Sequence, residues 1–218
     1  MSPPPPDRRP TPPPAAWGVY LITDRRQTAG RPLLDVVAAA LDGGVRAVQL
    51  REPDLPAREL LALATALRGL TTRVGAALLN NDRVDVALAC DADGVHLPRH
   101  GMRIAEARAL LGAQRLIGVS THAPVEVADA AAAGADFAVF GPLFDTPSKR
   151  AYGSPLGLDA LAAARAAAPA LPLLAIGGID AARVLDVRAR GADGVAVIRA
   201  LLGADDAMAA ARDLLRPE

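Results

Sequence analysis

From Gly18 onward the chain repeats one pattern: a short aliphatic or β-branched run, a polar turn, an Ala/Leu-rich segment with helical spacing, then a glycine and the next run. The runs are Val19–Ile22, Ala47–Leu50, Ala76–Leu79, Gly94–Leu97, Leu116–Val119, Phe137–Phe140, Leu173–Ile176 and Val195–Ile198. Each is nearly continuous in apolar character, as strands covered on both faces are. The segments between them carry apolar stripes at helical spacing, such as Leu33, Leu34, Val36, Val37, Ala40 and Leu41 ahead of Gly43-Gly44. Leu60, Leu61, Leu63, Ala64 and Leu67 form another. Asp91 to Val95, Gly134 to Ala138 and Gly191 to Val195 are copies of one helix-to-strand junction, with Gly43 to Val48 a looser copy. A strand-plus-helix unit repeated about eight times closes into an α/β fold, the (β/α)8 TIM barrel. An open doubly wound sheet would show a glycine fingerprint after its first strand, where this chain has Thr23-Asp24-Arg25-Arg26. Right-handed crossovers then bring the C-terminal end of every strand to one rim.

A chain of 218 residues suits one such barrel, and 51% hydrophobic content supplies its core. A formal net charge of zero argues against a nucleic-acid partner held by a broad basic surface. No apolar run approaches the ~20 residues of a membrane span. The single cysteine, Cys90, reads as a small core residue in a reduced, cytoplasmic setting. Residues 1–16, with prolines from Pro3 to Pro14, read as a disordered tail, because proline favours extended chain and removes backbone donors. Residues 17–218 are then one domain, and a homodimer stays open.

Polar residues collect at the strand C-termini, where barrels form ligand sites. Gln49 and Arg51 stand two apart at the second strand's end and share a face, expected to be the inner one. Asn81 and Asp82 end the third strand, and Ser120 and His122 the fifth. Thr146, Ser148 and Lys149 follow the sixth, Gly177-Gly178 the seventh, and Ile198-Arg199 the eighth. Paired glycines let backbone N–H groups approach an anion, and barrels often hold phosphate between the loops after strands seven and eight. Gly178 and Arg199 therefore form a candidate phosphate site, against the plainer reading of a tight turn. Asp82 reads equally as a metal ligand or a helix N-cap. His96, inside a strand, reads as packed. His122, at a strand end, is better placed for proton transfer, for which an ordinary imidazole pKa of about 6.5 is suited. Asp93, Asp136 and Asp193 fall at the opposite rim and read as turn residues, and Arg183, Arg188 and Arg190 as solvated helix charges.

Thr23-Asp24, Val48 to Glu52, Asn81 to Asp85, Asp93 to Leu97, Gly118 to His122, Gly141 to Lys149, Ala175 to Ile179 and Gly191 to Val195, in this order and spacing, resemble the thiamine-phosphate synthase and TenI family over nearly all of Gly18 to Leu215. The resemblance implies a transferase of thiamine biosynthesis that condenses hydroxymethylpyrimidine diphosphate with thiazole phosphate, giving thiamine phosphate and diphosphate. Its partners would be these two small phosphorylated molecules. It implies that Gln49, Arg51, Asn81, Ser120 and Lys149 surround the diphosphate and that Asp82 holds Mg2+. Thr146, Gly178 and Ile198 would line the thiazole-phosphate end, with Ser148 and Arg199 as further substrate contacts. Mg2+, Arg51 and Lys149 would neutralise the departing diphosphate. The TenI branch shares the thiazole-phosphate end but moves a proton between thiazole tautomers, with a histidine that matches His122.

Three positions depart from the synthase pattern, one of them Arg199, which stands where it often has a serine. Pro53 stands where it has a lysine, and Gly101 of Pro98-Arg99-His100-Gly101 where it has a second Mg2+ carboxylate. Arg99 is a candidate replacement for the lysine charge. One carboxylate, waters and substrate phosphates are enough to hold Mg2+. The departures keep two alternatives beside the synthase: a thiazole tautomerase, and a non-catalytic barrel that binds thiazole or thiamine phosphate.

Overall fold

The computed structural model describes residues 12–145 and 154–216. Its eight strands are β1 (Val19–Ile22), β2 (Ala47–Leu50), β3 (Ala77–Asn81), β4 (Gly94–Leu97), β5 (Leu116–Thr121), β6 (Phe137–Phe140), β7 (Leu173–Ile176) and β8 (Gly194–Val197). They pair in parallel in sequence order, and β8 closes on β1 with Tyr20 opposite Ala196. The expected (β/α)8 barrel is therefore present. Around it run α1 (Leu33–Asp42), α2 (Ala57–Val74), α3 (Val84–Ala89), α4 (Ile104–Leu111), α5 (Pro124–Ala132), α6 (Gly157–Ala167), α7 (Val184–Ala189), α8 (Arg199–Leu202) and α9 (Ala207–Leu215). No helix among the described residues is long and apolar enough to cross a membrane.

Alternation along each strand divides the core into two layers. Outward residues such as Val19, Leu21, Val48, Leu78, Val95 and Ile117 pack under the helices, where α1 buries Leu33, Val36, Val37, Ala40 and Leu41. Inward residues fill the barrel: Tyr20, Ile22, Ala47, Leu79, Phe137, Val139, Leu174 and Ala196. Aromatic rings close the floor, with Trp17 5.0 Å from Phe137 and Tyr20 5.6 Å from Phe137, both edge to face. Phe137 fits because β5 offers a glycine beside it: a Cβ on Gly118 would stand 2.1 Å from the Phe137 ring.

The expected tail boundary at residue 16 is corrected. Pro14–Ala16 forms a 3-10 turn in which Pro14 is buried, and the Trp17 indole N–H donates to Pro12 O at 2.8 Å. Proline lacks an N–H but keeps its carbonyl, and here that carbonyl satisfies a buried indole. Thr146, Ser148 and Lys149 lie outside the described residues.

The repeated junctions do more than turn the chain. Asp93 accepts from Leu78 N at 2.7 Å and from Arg68 at 2.5 Å. Asp136 does the same with Ile117 N at 2.7 Å and Arg108 at 2.6 Å. Asp193 does so with Leu173 N at 2.8 Å and Arg165 at 2.5 Å. In each copy, a carboxylate ahead of an even-numbered strand holds the start of the preceding strand and the helix that leads into that preceding strand. In the looser copy Arg46 stands in the aspartate's place and donates to Leu41 O and Val45 O.

Candidate functional site

At the C-terminal rim the expected residues converge from β2 to β5 on one side and from β7 and β8 on the other. Gln49 points into the barrel as expected, but it is 1% exposed and donates from Nε2 to the Tyr20 hydroxyl at 3.0 Å. It lies a layer below the rim rather than on its surface. Arg51 is the next inward position. Its backbone N–H is held by Thr23 Oγ1 at 2.9 Å, and its exposed side chain makes no hydrogen bond or ion pair among the described residues. Many of its neighbours are paired: Arg25 with the buried Glu52 and with Asp54, and Arg26 with Asp54. Burial and the Arg51 charge together push the His96 imidazole down to about 3, so that ring is neutral.

On β3 the ladder runs one step past the strand, with Asp82 N–H donating to His96 O at 2.9 Å. Asp82 then adopts φ +59, a left-handed conformation that Asp tolerates better than most side chains. The N-cap of α3 is Arg83 without a side-chain cap bond, so the N-cap reading of Asp82 is not the one seen. The Asp82 carboxylate makes no hydrogen bond or salt bridge among the described residues. Arg83, which feels its charge, is bridged to Asp85. Position 101 is its immediate neighbour: a Cβ on Gly101 would stand 2.5 Å from Asp82 Oδ1. Asn81 is half-buried and also has no side-chain partner among the described residues. No group of three or more His, Cys, Asp or Glu side chains suited to a metal occurs among the described residues. The donor set thus amounts to one free carboxylate beside a free amide. That suits a hard, largely hydrated cation such as Mg2+ and does not make a protein cage.

Ser120 on β5 is half-buried, with Oγ 2.9 Å from His96 Nε2. His122 is exposed, and its Nδ1 lies 2.5 Å from the Gly141 carbonyl. A carbonyl only accepts, so Nδ1 carries the proton and Nε2 keeps a free lone pair. Glu126 takes the His122 N–H at 2.7 Å and pairs with Arg99 at 3.2 Å. Arg99, the expected replacement for the missing lysine, is therefore already engaged.

Across the mouth, Gly177 and Gly178 adopt φ +103 and +66. The β7–β8 register sets Ile176 opposite Ala196, so the two chains leave their strands at the same level of the rim. Leu143 N–H and Phe144 N–H donate to Ile176 O and Gly177 O, so the β6 loop lies directly against these glycines. A Cβ on Gly178 would stand 2.9 Å from Phe144 Cβ. The backbone N–H groups of Gly178, Ile179, Arg199 and Ala200 have no acceptor among the described residues. Arg199 opens α8, and its stem lies against Gly203, where a Cβ would meet its Cγ at 3.3 Å and Gln27 O at 3.7 Å. Arg199 thus stands at the same rim as the Gly177-Gly178 turn, with its side chain exposed.

Two residues read as bland belong to this neighbourhood. Arg183, taken for a solvated helix charge, donates to Gly178 O and lies 4.6 Å over the Phe144 ring. His96, taken as packed, is buried but hydrogen-bonded to Ser120. Its signal was parity, since His96 sits opposite Asn81 and shares its inward face.

The family model described as thiamine monophosphate synthase matches residues 19–201. A putative thiamine-phosphate synthase of Geobacter sulfurreducens is 57% identical over 199 residues, covering 91% of this chain and 93% of that protein. The thiamine-phosphate synthase of Moorella thermoacetica is 46% identical over 198 residues, covering 91% and 94%. Among solved structures, thiamine phosphate pyrophosphorylase from Pyrococcus furiosus superposes with a TM-score of 0.82 at 36% identity, covering 92% of this chain and 95% of that one.

Proposed function

Because the chain belongs to the thiamine monophosphate synthase family, we propose that it joins hydroxymethylpyrimidine diphosphate to thiazole phosphate, releasing diphosphate. The observation that carries the reading is a mouth with two separate sets of polar groups that lack partners among the described residues: a guanidinium, an amide and a carboxylate over β2 and β3, and backbone N–H groups over β7 and β8. A reaction that joins two phosphorylated molecules needs both. Arg51, Asn81 and Ser120 bind the diphosphate, and Lys149 joins them from the β6 loop. Gln49, anchored on Tyr20, orients the pyrimidine end from below. Gly178 and the backbone at Ile198 and Arg199 hold the thiazole phosphate, with Thr146 and Ser148 alongside. Asp82 is the residue that would hold Mg2+, which supplies charge neutralisation to the leaving diphosphate when bound. The reaction breaks the pyrimidine methylene C–O bond, and the electron pair leaves with diphosphate. The thiazole nitrogen pair then forms the C–N bond. Arg51 and Lys149 place positive charge where the leaving group gains negative charge. The setting is the cytoplasm.

One observation favours a second reading. The free Nε2 of His122 suits a base, as a thiazole tautomerase requires. Purified protein mixed with both substrates and Mg2+ should form thiamine phosphate and lose that activity with a chelator. Metal-independent thiazole isomerisation without condensation, abolished by His122→Ala, would replace the synthase reading with the tautomerase.

A further inference from the structure

Beneath the rim, one buried ring nitrogen has no partner. His96 is 2% exposed and lies between the rings of Tyr20, at 6.0 Å, and Phe137, at 5.8 Å. Its Nε2 meets Ser120 Oγ at 2.9 Å, while its Nδ1 is buried without a hydrogen-bond partner among the described residues. A neutral imidazole carries one proton, and its place has consequences. On Nδ1, the proton would leave a buried N–H with nothing to donate to. On Nε2, it leaves only an unused lone pair. Orphaned buried N–H groups are the rarer outcome. Nε2–H therefore donates to Ser120 Oγ. The Ser120 hydroxyl, engaged from below as an acceptor, has its own hydrogen free to turn toward the mouth.

We infer that His96 is a positioning residue that makes Ser120 a hydrogen-bond donor to the substrate diphosphate. The inference rests on the reaction proposed above, and it assigns His96 no contact with substrate. A histidine that merely filled space would serve in either tautomer and would not depend on Ser120. Here the hydroxyl is polarised by a neighbour in the barrel interior, where solvent cannot compete for the bond.

Two experiments test it. The full chain is labelled with 15N-histidine, and the His96 signals among its three histidines are those lost in His96→Gln. The expected state at pH 7 is the Nε2–H tautomer, with the Nε2 signal shifted in Ser120→Ala. An Nδ1–H tautomer or a protonated ring overturns the inference. This readout does not depend on turnover, so wild-type protein that makes no thiamine phosphate would sink the functional reading alone. The second experiment measures kcat/KM for thiamine phosphate formation. His96→Met should lose roughly tenfold to a hundredfold, the range of one hydrogen bond to a charged group. His96→Gln, which keeps an N–H near the Nε2 position, should recover most of it. In a Ser120→Ala background, His96→Met should change little. Equal losses in both backgrounds overturn the inference. If His96→Met does not fold, His96→Asn replaces it, since its amide reaches the Nδ1 position and not Nε2.

Discussion

Asp82 occupies a backbone conformation that few side chains choose, and its carboxylate is left without a partner among the described residues. Strain of this kind persists where surrounding structure enforces it, and it often marks function. Asparagine tolerates the same left-handed geometry, so Asp82→Asn removes charge without disturbing the turn. Turnover should fall by about two orders of magnitude, the scale of losing one preorganised electrostatic contact. Thiazole-phosphate affinity, measured by calorimetry, should stay unchanged, because that ligand binds across the mouth. A parallel loss of both would mean Asp82 only shapes its loop. His96 makes a prediction about pH. Burial and Arg51 lower its folded pKa to about 3 from an ordinary 6.5. The unfolded chain therefore binds a proton that the folded chain refuses between these values. Its contribution to stability is fully present above the ordinary value and declines as pH falls through this window, by about 1.4 kcal/mol per unit at most. Urea unfolding of His96→Gln should show a shallower loss of stability from pH 6.5 to 4 than wild type.

The junction aspartates act between elements. Asp193 joins the start of β7 to α6 through Leu173 N–H and Arg165, and Asp136 and Asp93 repeat the arrangement at β5 and β3. Each aspartate supplies an acceptor to a strand N–H at the bottom rim, where the chain has just left a helix. Asp193→Ala should lower unfolding free energy by roughly 1–3 kcal/mol, because it leaves a strand N–H and a guanidinium without their acceptor. Denaturant midpoints will measure it. Activity of the folded fraction should hold, since the site is at the other end of the strands. A loss of turnover as large as the loss of stability would show that strand offset reaches the mouth.

At the scale of the whole barrel, the bottom is sealed by a segment that precedes the first strand. Trp17 is 1% exposed, packs on Tyr20 at 5.3 Å, and hands its indole N–H to Pro12 O. Compared with a chain starting at residue 12, one starting at residue 17 loses that acceptor and the cover from Pro14. Its melting temperature should drop by about 4 °C, as expected for one to two kcal/mol in a domain of this size. An unchanged melting temperature would restore the full sixteen residues to the tail.

The barrel was legible in the sequence because its rules are local. Strands covered on both faces read as short apolar runs, and parallel crossovers bring their ends to one rim. Arg51, Asp82, Ser120, His122 and Gly178 could be placed at that rim from strand ends alone. Tertiary structure decided which of them are free to act. Arg51 and Arg99 look alike as charges in a sequence, yet Arg99 is paired with Glu126 and Arg51 has no partner among the described residues. Arg199 stands at the expected strand end, where it opens α8 with its stem against Gly203. Gln49 and His96 are polar letters within apolar runs, and only the closed barrel sets one against Tyr20 and the other against Ser120. Partner choice depends on distances between strands far apart in sequence, and periodicity along one strand carries no record of them.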